Sequence, residues 1–377
     1  MRRFLISFLL LITACQNKHQ NPIEAVLAAN PDLTEIAQNP KYEVQILYSD
    51  IIRQGDSVSF KDYSFQLDAD QYYYPASTVK MPVAALALEK LKQLRASGIE
   101  THRETLYIIN GDTVSSNIAT DVSEIFAVSD NAAFNRLYEF MGRDEINRKL
   151  HEKGIFPVRI SHRLSVPNSA VDTTKTLLFF TSDSTFYPNL ELIDSPLQKL
   201  DYLKNQQKGV GYYAADSLVN TPFDFSLKNY YPLQSAHETL KRILFPSAFA
   251  PNQRFNLSAD DHAFLVNTMA QLPSESPFKS YDPEMYYDSY VKFLMFGDSK
   301  APMPKHIKVY NKVGDAYGTL TDIAYIKDEE NGVEFMLSAT ILVNSNGIFN
   351  DNTYDYDLIG LPFLGKLGRA FYEYKLD

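Results

Sequence analysis

The stretch "YYYPASTVKMPVAAL", residues 72–86, places Ser77 three residues before Lys80 at the onset of an apolar run. On a helix, positions i and i+3 share one face. A serine in the first turn also lies near unpaired backbone N–H groups and the positive end of the helix dipole. Both features suit a nucleophile whose attack creates an oxyanion. Serine needs a base within reach, and lysine serves only when its pKa falls, as it does when buried beside a second cation. The same spacing occurs at Ser276/Lys279 and Ser289/Lys292. The first of these encloses Pro277, and the second sits in a Tyr-rich stretch without an evident helix start.

Only Ser77/Lys80 has companions. "FAVSDNAAFNRLYEFMG" carries Ser129-Asp130-Asn131, and "YNKVGDAYGTLTDIAYI" carries Lys312-Val313-Gly314 on an expected strand. Ser129-Asp130-Asn131 is also what a turn or helix cap would use. Taken together, the order Ser-x-x-Lys, Ser-Asp-Asn, Lys-x-Gly resembles that of the penicillin-recognising active-site serine enzymes, the class A β-lactamases and their relatives. "HRLSVPNSAVDTT" is similar to the loop flooring that site, with Arg163 and Asp172 where the family pairs an arginine with an aspartate. The resemblance implies Ser77 as nucleophile, Lys80 as its base, and Ser129 as proton relay to the leaving nitrogen. It implies substrate contacts from Asn131, Lys312, Gly314 and Asp315, with the backbone N–H groups of Ser77 and Asp315 as oxyanion hole.

The sequence departs from that pattern in three places. Where class A β-lactamases carry the glutamate that activates the deacylating water, alignment through Arg163 puts Ser165. Loss of a general base slows such a step by about 10²–10⁴-fold. Val313 replaces the hydroxyl residue of Lys-Thr-Gly, and Asp315 adds a negative charge where the family holds an anion. The acylation half is intact and the deacylation half is not.

The elements needed to position these residues are legible. "YEVQILYSDII" and "SVSFKDYSFQLD" read as strands joined at Gln54-Gly55-Asp56. A helix from the serine motif should close at Ser97-Gly98, and a helical region continues to about Leu150. Ser235 with Glu238, and Ser258 with Asp261, read as capping boxes of two later helices. "HIKVYNKV", "GTLTDIAYIKD" and "VEFMLSATILVN" read as strands, with a hairpin at Glu330-Asn331-Gly332. A last helix should turn Phe363, Leu367, Phe371 and Tyr374 inward. The expectation is an α/β (α+β) fold: a mixed, mainly antiparallel sheet completed by both ends of the chain, flanked by helices, with an inserted helical lobe and a cleft between. Residues 173–234 and 274–304 exceed the family pattern. With 25 Tyr and 24 Phe, these additions either cap the cleft, stacking on a sugar or peptide, or pack as an added subdomain.

The chain divides into residues 1–15, a tether at 16–22 and a hydrolase domain at 23–377. "MRRFLISFLLLITAC" has two arginines, an apolar run too short for a bilayer, and small residues before Cys15. It resembles a bacterial lipoprotein signal, with Cys15 lipidated; the alternative is an ordinary secretory signal. The expected location is the periplasmic side of the cell envelope, membrane-held through the lipid anchor. Gln16 after Cys15 favours the outer membrane. Cys15 is the single cysteine, so the mature body can form no internal disulfide and has no thiolate metal site. The seven histidines lack metal-ligand spacing, and neither metal nor cofactor is expected. A net charge of −10 argues against nucleic acid. His162, beside Arg163, reads as a surface residue. The expected partner is a small-molecule substrate, a β-lactam or an envelope amide or ester. A peptidoglycan DD-peptidase and a non-catalytic envelope-binding module are the competing readings.

Overall fold

The computed structural model describes residues 21–181 and 186–376. Cys15 and the signal segment lie outside the described residues. Asn21 and Pro22, assigned above to the tether, already cap and open the first helix, Pro22–Ala29. Pro31 starts a second, Pro31–Gln38, as the break in the apolar pattern implied.

The central sheet joins the two ends of the chain. Its five strands run in the order 307–316, 319–328, 333–342, 45–54, 57–65, and every neighbouring pair is antiparallel. The seam between the chain's beginning and end is Gln45–Gln54 against Val333–Leu342, with Tyr48 opposite Leu337. The sheet is therefore wholly antiparallel rather than mixed; parallel pairing among the described residues is confined to a two-residue contact of 348–349 with 211–212 and a single bridge between Gln71 and Lys204. Gly55 takes a φ of +59° in the first hairpin, which glycine adopts without a side-chain clash.

Alternation along these strands separates two apolar layers. One face packs against the first two helices and the final helix, Leu361–Leu376, whose Phe363, Leu367 and Phe371 are buried; Tyr374 is half-buried at the rim. The other face meets the helical lobe through Leu47, Ile323, Tyr325 and Met336. At the centre of that lobe lies the helix Lys80–Ala96, with Met81 to Leu88 nearly inaccessible on every side. A helix apolar all round must be enclosed, and Ile118–Val128, Asn131–Met141 and Arg143–Glu152 enclose it. Among the described residues no helix is long and apolar enough to cross a membrane.

Two capping expectations divide. Ser258 caps Ala259–Ala270, accepting from the Asp261 N–H at 3.0 Å. Ser235 caps nothing: its helix starts earlier, at Leu233 after Pro232, and its hydroxyl donates to the Pro157 carbonyl at 2.8 Å.

The floor loop also differs from expectation. Arg163 pairs with Glu139, Nη2 to Oε2 at 2.8 Å, and not with Asp172, which receives Arg143 at 2.9 Å. Arg163 also donates to the carbonyl oxygens of Val171 and Thr173, so one buried guanidinium gathers both ends of the loop. His162 is buried, not on the surface; burial pushes its imidazole down to about 4, so it is neutral. Breaking a buried pair strands a charge and costs about 3–5 kcal/mol. Glu139→Ala should therefore lower unfolding stability by ~3–5 kcal/mol in a urea titration. Asp172→Ala, at a half-exposed partner, should cost less; equal losses would contradict this arrangement.

Candidate active site

The turn that carries Ser77, Ala76–Val79, is a tight 3-10 turn leading into the helix Lys80–Ala96. It is pressed against the edge strand Ile307–Ala316 at Gly314. A Cβ at Gly314 would stand 2.6 Å from the Pro75 carbonyl oxygen and 3.1 Å from the Ser77 nitrogen. The strand backbone can approach Ser77 only because this residue has no side chain. As the outer strand of the sheet, it also leaves part of its backbone without a ladder partner on that side.

Ser129-Asp130-Asn131 forms the joint between two helices. Ser129 closes Ile118–Val128 in the left-handed region at φ +58°, and Asp130 caps Asn131–Met141 by accepting from the Ala133 N–H at 2.8 Å. Capping and placement in the site thus coexist. A non-glycine residue held at positive φ is the kind of local strain that clusters at functional sites.

This joint meets both lysines. Lys80 Nζ donates to the Ser129 carbonyl, to Asn131 Oδ1 at 2.7 Å and to Ser129 Oγ at 3.3 Å. Lys312 Nζ reaches the same Ser129 Oγ at 2.8 Å and the Val313 carbonyl at 2.9 Å. Asn131 Nδ2 donates to Ser165 Oγ at 3.0 Å, so the loop delivers Ser165 to the site as the alignment implied. Ser77 Oγ makes no hydrogen bond among the described residues and lines two cavities, of about 490 and 480 Å³. Ser77, Lys80, Ser129, Asn131, Lys312, Gly314 and Asp315 all converge here. Val313 is buried in the layer beneath the sheet.

Electrostatics favour a lysine base. Burial, then the nearby charge of Lys312, holds the Lys80 ammonium well below its ordinary range. Burial also lowers Lys312, to about 7, against the pull of Asp315 and Asp322. Asp315 is accessible to solvent inside the cleft yet hemmed in by protein, and desolvation raises its carboxyl. No cluster of metal-ligating side chains occurs among the described residues. Lys292, of the third Ser-x-x-Lys pattern, is a buried strut bonded to the Met269 and Val309 carbonyls and Asn311.

The family model described as the Beta-lactamase enzyme family matches residues 29–185, which include Ser77, Lys80, Ser129, Asn131 and Ser165. Solved structures carry the likeness through the rest of the chain. A β-lactamase from Xanthomonas campestris pv. campestris shares 14% identity at a TM-score of 0.52, with 94% of this chain and 98% of that one covered. One from Desulfarculus baarsii shares 13% at 0.52, covering 93% and 97%. The β-lactamase from Streptomyces albus G shares 11% at 0.51, covering 91% and 98%. The fold of this chain is β-lactamase-like. No curated protein matches it.

Sequence reasoning missed part of the β-lactamase-like cleft. Tyr286, Tyr287 and Tyr290 of the second added segment do line a Ser77 cavity, the cap weighed above. The first added segment instead packs behind the wall, where Phe223 and Phe225 meet Tyr74, Tyr317 and Phe349. Tyr354, Tyr356 and Asp357, just before the last helix, were not anticipated. Their signal was "NDNTYDYD", a polar aromatic run in a connection that had only to span strand and helix.

Two outcomes follow from this geometry. Gly314→Ala must push the strand off Ser77, and acylation should fall by about 10²–10³-fold, the cost of one oxyanion donor. An unchanged rate in a folded Gly314→Ala protein would refute the close approach. Acylation should also rise with pH as Lys80 becomes neutral, well below pH 10.5, and fall through about pH 7 as Lys312 loses its proton. In Lys312→Arg, which stays charged, the falling limb should move far into the alkaline range; a limb that stays near pH 7 assigns it to another group.

Proposed function

We propose that this β-lactamase-like chain is a serine acyl-hydrolase that forms an acyl-enzyme on Ser77 and turns it over slowly when the acyl group comes from a β-lactam. The observation that carries this reading is the shared Ser129 hydroxyl, held at 3.3 Å by one amine and 2.8 Å by another, beside an unbonded Ser77 Oγ. Lys80, held neutral by burial, takes the Ser77 proton as Oγ adds to the carbonyl. The backbone N–H groups of Ser77 and Asp315 receive the oxyanion, which the close Gly314 contact supports. Ser129, hydrogen-bonded to Lys312, passes a proton to the leaving nitrogen. Asn131 holds Lys80 and the floor loop in register.

Slow deacylation rests on Ser165. At the position of the family's water-activating glutamate stands a hydroxyl that is already bonded to Asn131. Glu139, on the adjoining helix, is tied to Arg163. The substrate in this reading is an amide or ester of the cell envelope, with the chain held on the periplasmic side by a lipid on Cys15. A DD-peptidase would use the same acylation steps. A pure binding module would have no use for a neutral lysine beside an unbonded serine.

A time course with a chromogenic cephalosporin, followed by intact mass and run beside Ser77→Ala, tests the reading. We expect one burst and a persistent adduct on Ser77, absent in the variant, with Lys80→Ala slowing the burst by about 10²–10⁴-fold. Sustained turnover would mean that another group activates water, Asp315 being the carboxylate common to both Ser77 cavities. No adduct would remove β-lactams from the substrate range.

A further inference from the structure

The charge lining of the cleft is opposite to what an anionic ligand needs. Neither cavity bordered by Ser77 has a lysine, arginine or histidine in its wall. Lys80 and Lys312 lie beneath it, each with its amine taken up by Ser129 and its neighbours. The wall of the second cavity instead carries three carboxylates, Asp130, Asp315 and Asp357. Asp130 is committed to the cap of Asn131–Met141. Asp315 and Asp357 are exposed to the cavity, and neither side chain has an ion pair or a hydrogen bond to another residue's side chain among the described residues. The same cavity is lined by Tyr286, Tyr287 and Tyr290, with the Tyr290 ring 5.0 Å from that of Tyr286 and 5.9 Å from that of Tyr287, centroid to centroid.

Carboxylates beside tyrosine faces form the usual receptor for an ammonium group, which takes charge pairing from one and cation–π attraction from the other. An isolated acidic cluster would say little. This one shares its cavity with the hydroxyl of Ser77, which is 9% exposed and unbonded, so the cluster and the reacting atom face the same ligand. The chain's net charge of −10 draws cations toward the mouth.

We propose that this cavity is a cation subsite, and that the acyl compound processed at Ser77 carries a free amine in the part that lies between Asp315, Asp357 and the three tyrosines. Its chemical class is an amino-bearing amide or ester, such as a peptide or amino-sugar derivative with an unblocked amine. The inference rests on Ser77 being the acylated residue. It departs from the substrate contact that the resemblance implied for Lys312: beneath this wall the lysine is a structural and electrostatic partner of Ser129.

Three 4-nitrophenyl esters of equal length, ending in an ammonium, a methyl and a carboxylate, test the subsite with the protein from residue 21 onward. The readouts are 4-nitrophenol release and intact mass of the Ser77 adduct. We expect the ammonium ester to acylate at least tenfold faster than the methyl ester, and the carboxylate ester to be slowest. Asp357→Asn, on the exposed rim, should reduce the ammonium-to-methyl ratio several-fold, and raised salt should reduce it in the wild type. Asp315→Asn should lower the same ratio and relieve exclusion of the carboxylate ester. A ratio of one or less, with the Ser77 adduct still forming, overturns the cation subsite and leaves the acyl-hydrolase reading standing. Absence of a Ser77 adduct with every ester overturns both.

Discussion

Two amines on one hydroxyl is the constraint around which the molecule is arranged. Lys80 and Lys312 come from a helix and a strand more than two hundred residues apart, yet both reach Ser129 Oγ. Buried ammonium groups this close disfavour each other's charge, and burial together with the charge of Lys312 holds the Lys80 ammonium well below its ordinary range. Each is also supplied with other acceptors: Lys80 with the Ser129 carbonyl and Asn131 Oδ1, Lys312 with the Val313 carbonyl. The cost of that burial is offset by the enclosed apolar residues Met81 to Leu88 of the helix Lys80–Ala96.

From that constraint the architecture around the site can be reasoned outward. Lys312 must come from a strand whose outer side is open, which an edge strand offers. Its neighbour must be glycine, because the Pro75 carbonyl lies 2.6 Å from where a Cβ would stand. Ser129 must sit at a helix end rather than within a helix, since only there is its own carbonyl free to accept from Lys80. Asp130 then supplies the next helix with a cap at the same corner.

What could be read from the sequence followed the range of the interaction. Strands 45–54, 57–65, 307–316, 319–328 and 333–342 and the nucleophile helix declared themselves because alternation, turn residues and apolar runs are local. The three short motifs were legible because their chemistry fixes residue types at close spacing. The Arg163 partner was misassigned because Glu139 lies on a different helix, and nothing local to "HRLSVPNSAVDTT" distinguishes it from Asp172. Ser235 looked like a cap but is spent on Pro157, a choice made by the packing of a remote turn. His162 looked polar enough for the surface, but its Nδ1 is bonded to the Arg163 carbonyl, its backbone N–H donates to Asn229, and its ring stacks on Tyr74 at 6.3 Å.

The departures from the family pattern form a coherent set when judged by charge. A glutamate on the floor loop would add a fourth acidic group to a cleft whose walls already hold Asp130, Asp315 and Asp357 and no cationic side chain. Each added negative charge would raise the proton affinity of Lys80 and oppose the neutrality that its proposed role as base requires. Asp315 already acts in that direction on both lysines. In the proposed reading, a serine at 165 keeps the lysine pair balanced in an acidic cleft, at the expense of water activation. On this argument, acidity at Asp315 and absence of acid at Ser165 are not independent losses. They are two sides of one electrostatic arrangement in which the lysine pair sets how much negative charge the cleft can hold.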